Sequence, residues 1–218
     1  STGEPLLKEE IACRPGGWAE KRVSLPRERV RLWSTTDPFL HKVNVTMGED
    51  CWSDTVGLRQ ISTRGKDILL DDEPIFLRGA AAWTEDPERG IFNLGPEMSR
   101  RTIEILKDLG MNFIRAGHRP NSKAFIRACD AAGILVWMEV PAYWIPDMMR
   151  PTQRRNAIKT LEENLRAHRN AASVIIWSVG NECLHHSVDD ERSNLAYFIE
   201  AADWLREHDP SRLVTYTG

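Results

Sequence analysis

Residues 173–182 read S-V-I-I-W-S-V-G-N-E. Val174, Ile175, Ile176 and Trp177 form a continuous apolar run that stops at Gly180 and delivers the pair Asn181-Glu182. A strand without polar alternation needs cover on both faces, the condition of a parallel sheet. A carboxylate at the C-terminal end of such a strand sits where α/β barrels keep their chemistry. Glu182 is therefore the first candidate for a catalytic acid.

Outward from this stretch, strand and helix patterns alternate. Ile75–Ala81, Met111–Ala116, Ile134–Val140, Ser173–Gly180 and Leu213–Tyr216 read as strands. Helices are expected over Pro96–Leu109, with Pro96 in the first turn and Gly110 just past the end, and after Ser122, which can cap a helix closed by Gly133. Two more are expected over Thr152–His168 and Asp189–Glu207. The expected core stripes are Met98, Thr102, Ile105, Leu106 and Leu109; Phe125, Ala128, Cys129 and Ala132; Ile158, Leu161 and Leu165; and Leu195, Phe198, Ile199, Ala202 and Leu205. This order of elements predicts a parallel α/β architecture. An open doubly wound sheet is the alternative, but no G-x-G-x-x-G follows the first strand.

Before Arg78 the character differs. Short runs at Val23–Leu25, Val30–Trp33, His41–Thr46, Thr55–Ser62 and Ile68–Leu70 are separated by turns, and Val43, Val45 and Met47 alternate with polar residues. This predicts part of an antiparallel sandwich over residues 1–74, too short for a complete one of about 100 residues. Residues 75–218 form the second expected unit.

The 218 residues are 41% hydrophobic and 28% charged, with a formal net charge of -3. This balance gives no electrostatic case for nucleic acid or an anionic membrane surface. No apolar run approaches the roughly 20 residues needed to span a bilayer. Ser1–Glu10 has no basic-then-apolar leader, which says nothing about compartment if the chain is internal to a longer protein. Cys13, Cys51, Cys129 and Cys183 have neither disulfide-framework nor zinc spacing and read as free thiols. Asn44-Val45-Thr46 matches a glycosylation pattern that is common by chance.

The strand ends carry the chemistry. The first yields Trp83, Glu85 and Asp86 in its loop, the second Arg115 and His118, the third Glu139, Tyr143 and Trp144, and the fourth Asn181 and Glu182. In a barrel these converge on one mouth, giving a polar pocket rimmed by aromatic rings. Glycoside hydrolysis needs such a site: one carboxylic acid protonates the leaving oxygen while a second carboxylate attacks or activates water. An acid of that kind is kept protonated by a partly apolar neighbourhood, which Trp177 could supply.

Several phrases resemble glycoside hydrolase family 2, the family of β-galactosidases, β-glucuronidases and β-mannosidases. They are I-F-L-R-G at Ile75–Gly79, I-R-A-G-H-R-P at Ile114–Pro120, G-I-L-V-W at Gly133–Trp137, V-I-I-W-S-V-G-N-E at Val174–Glu182 and D-P-S-R-L-V-T-Y at Asp209–Tyr216. The resemblance covers roughly Leu32 to Gly218. It implies a (β/α)₈ TIM barrel, represented here by its first five strands, preceded by part of an immunoglobulin-like β-sandwich. It implies a retaining exo-β-glycosidase with Glu182 as general acid and then base. Asn181 would bond the sugar 2-hydroxyl, Arg115 would orient the nucleophile, and His118, Trp83 and Trp144 would line the sugar pocket. The nucleophilic Glu of the family lies on the seventh strand, beyond this chain, so the chain alone is expected to be inactive. Trp83 stands where the family often has His, and Met138-Glu139 where it often has Asp-Glu, which leaves the sugar open.

Each residue also has a plainer reading. Glu182 could be a helix cap, Asn181 a turn former, Arg115 a layer ion pair, His118 a capped loop residue, Glu139 a structural carboxylate, and Trp83, Tyr143 and Trp144 loop packing. Glu182-Cys183-Leu184-His185, with His186 following, resembles a metal-binding E-x-x-H only once and without a partner motif. Asp189-Asp190-Glu191-Arg192 reads as a solvated first turn. Neither cofactor nor metal is expected, and the expected partner is a β-glycoside. With strands missing, the sheet would have an open edge, and the chain alone is expected to aggregate, oligomerise with itself or bind its missing half. The rival functions are a non-catalytic carbohydrate-binding truncated barrel and another α/β-barrel hydrolase of the same clan.

Overall fold

The computed structural model describes residues 5–92, 94–144, 150–183 and 188–217, with side chains of 188–193 excepted. The leader begins with coil and a 3₁₀ turn at Arg27–Arg29. A hairpin follows, β1 (His41–Met47) and β2 (Asp50–Val56), then a meander of β3 (Ile61–Arg64), β4 (Asp67–Leu70) and β5 (Glu73–Ile75). The rest alternates: β6 (Gly79–Trp83), a two-residue pair β7 (Glu85–Asp86) and β8 (Ile91–Phe92), α1 (Pro96–Asp108), β9 (Phe113–Gly117), α2 (Lys123–Ala132), β10 (Leu135–Glu139), α3 (Pro151–His168), β11 (Val174–Asn181), α4 (Val188–His208) and β12 (Leu213–Thr217).

Five strands form one parallel sheet in the order β12-β11-β10-β9-β6. Each new strand adds beside the last, the consecutive order of a TIM barrel rather than the reversing order of a doubly wound sheet. Every residue of β11 is buried, as its unbroken apolar run requires. Helix α2 starts where Ser122 Oγ accepts from the Phe125 N–H at 3.1 Å and ends at Gly133, which is left-handed with φ 70°. The main core joins the sheet to the helices through Ile114, Phe125, Ile126, Met138, Leu161, Trp177, Tyr197 and Phe198. A second cluster closes the floor of the sheet: Trp33, Ile61 and Leu70 of the leader pack on Leu135 and Ile175. The Trp33 indole also donates to the Asp130 carbonyl at 2.7 Å.

Several sequence expectations are corrected here. Ile75–Ala81 is not one strand: the chain breaks at Phe76–Arg78, between the meander and β6. Val23–Leu25 and Val30–Trp33 are not strands: Val23 is exposed in coil, and Trp33 serves as a buried plug instead of pairing along an edge. Val43, Val45 and Met47 alternate as expected, yet their face is exposed among the described residues. The α1 face turned inward is Ser99, Ile103 and Leu106, with Ile105 and Leu109 outward. Among the described side chains of α4 the buried ones are Asn194, Tyr197, Phe198, Ala201 and Leu205, while Leu195 and Ile199 are exposed.

Candidate active site

Glu182, Asn181, Arg115, His118, Trp83 and Trp144, the six residues to which the family resemblance gives roles, lie toward the C-terminal end of the parallel sheet, where its strand ends meet. Arg115 on β9 donates from Nε to Glu139 Oε1 at 2.6 Å and from its terminal nitrogen to the Asn181 side-chain oxygen. Glu139 ends β10 and has no exposed side-chain surface. Its other oxygen, Oε2, accepts from His118 Nδ1. A carboxylate can only accept, so His118 Nδ1 carries the proton and Nε2 is left unprotonated in the neutral ring. Glu139 is thus occupied on both oxygens and works as a fixed anchor that aligns Arg115 and His118.

Glu182 is placed differently. Its Oε2 accepts from the Trp144 indole N–H at 2.7 Å, and Oε1 takes no hydrogen bond from the described residues. Of the two carboxylates at the strand ends, Glu182 is the one with an oxygen to offer a substrate. The loop after β10 brings Trp144 there by continuing the parallel pairing: Asn181 N–H donates to Ala142 O at 2.8 Å, and Tyr143 bridges to Asn181. Gly180 permits this approach. A Cβ there would lie 2.5 Å from Phe198 Cε1 and 2.9 Å from Ala142 O.

Both Trp144 and Glu182 have φ 51°, in the left-handed region. For residues with a Cβ this costs on the order of 1–2 kcal/mol each. The strain turns two successive strand ends toward each other. It is held by bonds to the neighbouring elements: Glu182 N–H donates to Thr217 O at 2.8 Å, and Cys183 N–H to the Tyr216 hydroxyl at 3.0 Å.

Aromatic rings form one wall. Trp83 meets His118 edge-on with centroids 4.9 Å apart, and His118 meets Tyr143 at 5.3 Å. Tyr143 lies 6.4 Å from both Trp83 and Trp144. Arg119 stands over Phe92 at 3.7 Å and Trp83 at 5.6 Å, fastening the β7–β8 pair to the loop after β9. Below it, Thr84 Oγ1 donates to Asn121 Oδ1 at 2.5 Å. Trp83 and Trp144 remain more than half exposed, so their faces are available to a ligand.

Some expectations change. Trp177 does not supply the apolar neighbour of Glu182; its indole donates to Asp209 Oδ2 at 2.8 Å in the buried core. The D-P-S-R phrase is structural: Arg212 binds Asp209 at 2.6 Å and the carbonyls of Val174 and Ala171 at 2.7 and 2.6 Å. Burial pushes the Asp209 carboxyl up, but Arg212, Ser211 and Trp177 together hold it below the ordinary carboxylate range. Leu184, His185 and His186 lie outside the described residues, and among those described no group of His, Cys, Asp or Glu is arranged to hold a metal ion. No described helix is long and apolar enough to cross a membrane. Sequence reasoning missed Arg119, Asn194 and Tyr216, whose contacts depend on loop and helix placement and leave no local pattern.

Polar groups gathered at the C-terminal ends of consecutive parallel strands are the working end of an α/β barrel, and this chain builds part of that class of fold. Within the class, one family claims most of its length. Residues 61–218 match the glycosyl hydrolases family 2 TIM barrel domain, and the chain belongs to that family. It is 29% identical over 216 residues to beta-galactosidase 2 of Enterobacter cloacae, covering 93% of this chain and 20% of that protein. It is 30% identical to a putative beta-glucuronidase of Formosa agariphila, covering 84% of this chain and 23% of that one. The crystal structure of a family 2 beta-galacturonidase from Eisenbergiella tayi bound to galacturonate superposes with a TM-score of 0.81 at 30% identity, over 92% of this chain and 36% of that one. The chain thus spans about a fifth of the length of the curated relatives it matches.

Proposed function

We propose that the protein carrying this chain is a retaining exo-β-glycosidase in which Glu182 is the general acid and base. The observation that carries the reading is the Glu182 carboxylate at the end of β11, bonded to the Trp144 indole and flanked by Asn181. In the first step Glu182 gives its proton to the glycosidic oxygen as the bond to the anomeric carbon breaks and a nucleophilic carboxylate forms the glycosyl-enzyme. In the second, Glu182 takes a proton from water as that water displaces the enzyme carboxylate. The nucleophile would come from a later barrel strand.

In this reading Asn181 meets the sugar 2-hydroxyl through its amide N–H, since its carbonyl oxygen is taken by Arg115. Arg115, itself fixed by Glu139, orients the incoming carboxylate of the nucleophile. The rings of Trp83, Tyr143 and Trp144 offer faces for sugar stacking. Residues 75–218 are the first five barrel strands, and residues 1–74 are the end of an immunoglobulin-like sandwich with the β3–β5 meander closing the barrel floor.

The test is hydrolysis of aryl β-galactosides, β-glucuronides and β-galacturonides by the full-length protein, with and without Glu182→Ala. Cleavage of one sugar and a loss of at least about 100-fold in the variant supports the proposal. Unimpaired hydrolysis by Glu182→Ala would falsify the acid assignment. Sugar binding without hydrolysis would point to a carbohydrate-binding protein.

A further inference from the structure

Nothing in the proposed mechanism uses the groups behind Glu182, yet the residue that follows it is gripped from two elements. Cys183 N–H donates to the Tyr216 hydroxyl at 3.0 Å, and Cys183 O accepts from Asn194 Nδ2 at 2.6 Å. Tyr216 belongs to β12 and Asn194 to α4, where it is fully buried. The Tyr216 ring packs on Phe198 with centroids 4.3 Å apart, and Phe198 is the ring that leaves no room for a Cβ at Gly180. The Cys183 thiol lies 3.4 Å from Ala142 O, on the segment that leads to Trp144.

We infer that Tyr216 and Asn194 are positioning residues that set the reach of the Glu182 carboxyl by holding Cys183 in place directly after the left-handed Glu182. The inference rests on the reading of Glu182 as the acid. With φ 51°, Glu182 occupies a conformation that local sterics oppose. A relaxed backbone would rotate the side chain away from the substrate, since φ of Glu182 directs its Cα–Cβ bond. Tyr216 supplies an acceptor for the Cys183 N–H and Asn194 a donor to the Cys183 carbonyl, at fixed points on either side of that residue, so rotation requires both bonds to break. Both act through Glu182. A misplacement of about 1 Å in a proton donor costs up to about 100-fold in rate.

The test compares Tyr216→Phe in the full-length protein with the parent, using dinitrophenyl and phenyl β-glycosides of the sugar it cleaves. The variant keeps the ring on Phe198 and removes only the hydroxyl. Protonation matters for the phenyl leaving group and hardly at all for dinitrophenolate. The expected result is a fall of about tenfold in kcat/KM for the phenyl glycoside with little change for the dinitrophenyl glycoside. Asn194→Ala is measured in parallel and is expected to show the same split, which covers failure of either variant to fold. An equal loss on both substrates, or no loss on either, overturns the inference. Glu182→Ala is the reference: if it lacks the leaving-group split, the acid assignment fails; if it shows the split and Tyr216→Phe and Asn194→Ala do not, only the positioning role fails.

Discussion

Trp144 Nε1 donates to Glu182 Oε2 at 2.7 Å, and the two residues share a left-handed backbone, each with φ 51°. The indole N–H is therefore committed to the carboxylate. Trp144→Phe keeps an aromatic face and deletes the donor. We predict a fall of about tenfold in kcat with KM nearly unchanged, measured by steady-state hydrolysis in the full-length protein. A large rise in KM at constant kcat would show instead that the ring acts through stacking.

Gly180 is the narrowest point between β11 and its neighbours. In Gly180→Ala the new methyl would meet Phe198 Cε1 at 2.5 Å and Ala142 O at 2.9 Å. Phe198 packs against the Tyr216 ring, and Ala142 stands two residues ahead of Trp144. The substitution should destabilise the fold by about 1–3 kcal/mol and reduce activity on poor leaving groups more than on activated ones. Urea unfolding and the aryl glycoside series measure the two effects separately.

His168 gives the fold a pH dependence of definite sign. It is buried at the end of α3, bonded to the Asn121 carbonyl, and desolvation holds its pKa down to about 4, with Lys123 and Arg212 adding repulsion. Above about pH 6.5 the ring is neutral in both states and its packing contributes fully. As pH falls from about 6.5 to about 4, the unfolded chain takes up a proton that the folded ring refuses, so stability drops by up to about 3 kcal/mol. Unfolding midpoints measured across that window should fall, and His168→Gln should flatten the slope. A slope unchanged in the variant would assign it to other groups.

Arg59 fastens the leader to the sheet floor. It donates to Ala172 O at 3.0 Å, Val174 O at 2.6 Å and Ser211 O at 2.9 Å. Burial, followed by repulsion from Arg212, lowers its pKa to about 10, yet it stays charged at neutral pH. Arg59→Met keeps much of the packing and leaves three carbonyls without this partner. The expected cost is about 2–4 kcal/mol, read as a lower thermal midpoint with kinetic constants unchanged at low temperature. A loss of activity without loss of stability would place Arg59 in the site's support instead.

The sequence was most legible where one local cause dominates. The unbroken apolar run of β11, the Ser122 cap and the left-handed Gly133 each declare their structure, and strand ends in a parallel sheet collect their residues on one side. Phase was less legible than period. Helices α1 and α4 carry apolar residues on adjoining faces, and only the neighbouring elements decide that Ile103 and Tyr197 turn inward while Ile105 and Ile199 do not. Long-range anchors left no trace: Trp33 bonds a carbonyl 97 residues away, and Arg59 reaches one 152 residues away. The Trp144–Glu182 bond was hidden for a different reason, because it depends on two backbone conformations that neither residue type favours.

The central claim is best tested by azide rescue of Glu182→Ala in the full-length protein, with an activated aryl β-glycoside. Removing a general acid and base leaves glycosylation by a good leaving group intact and stalls the glycosyl-enzyme, which a small anion can attack without base assistance. The account predicts that azide restores turnover and that the product is the β-glycosyl azide, with retained configuration. No rescue, or an α-glycosyl azide, would contradict the assignment of Glu182 in a retaining mechanism.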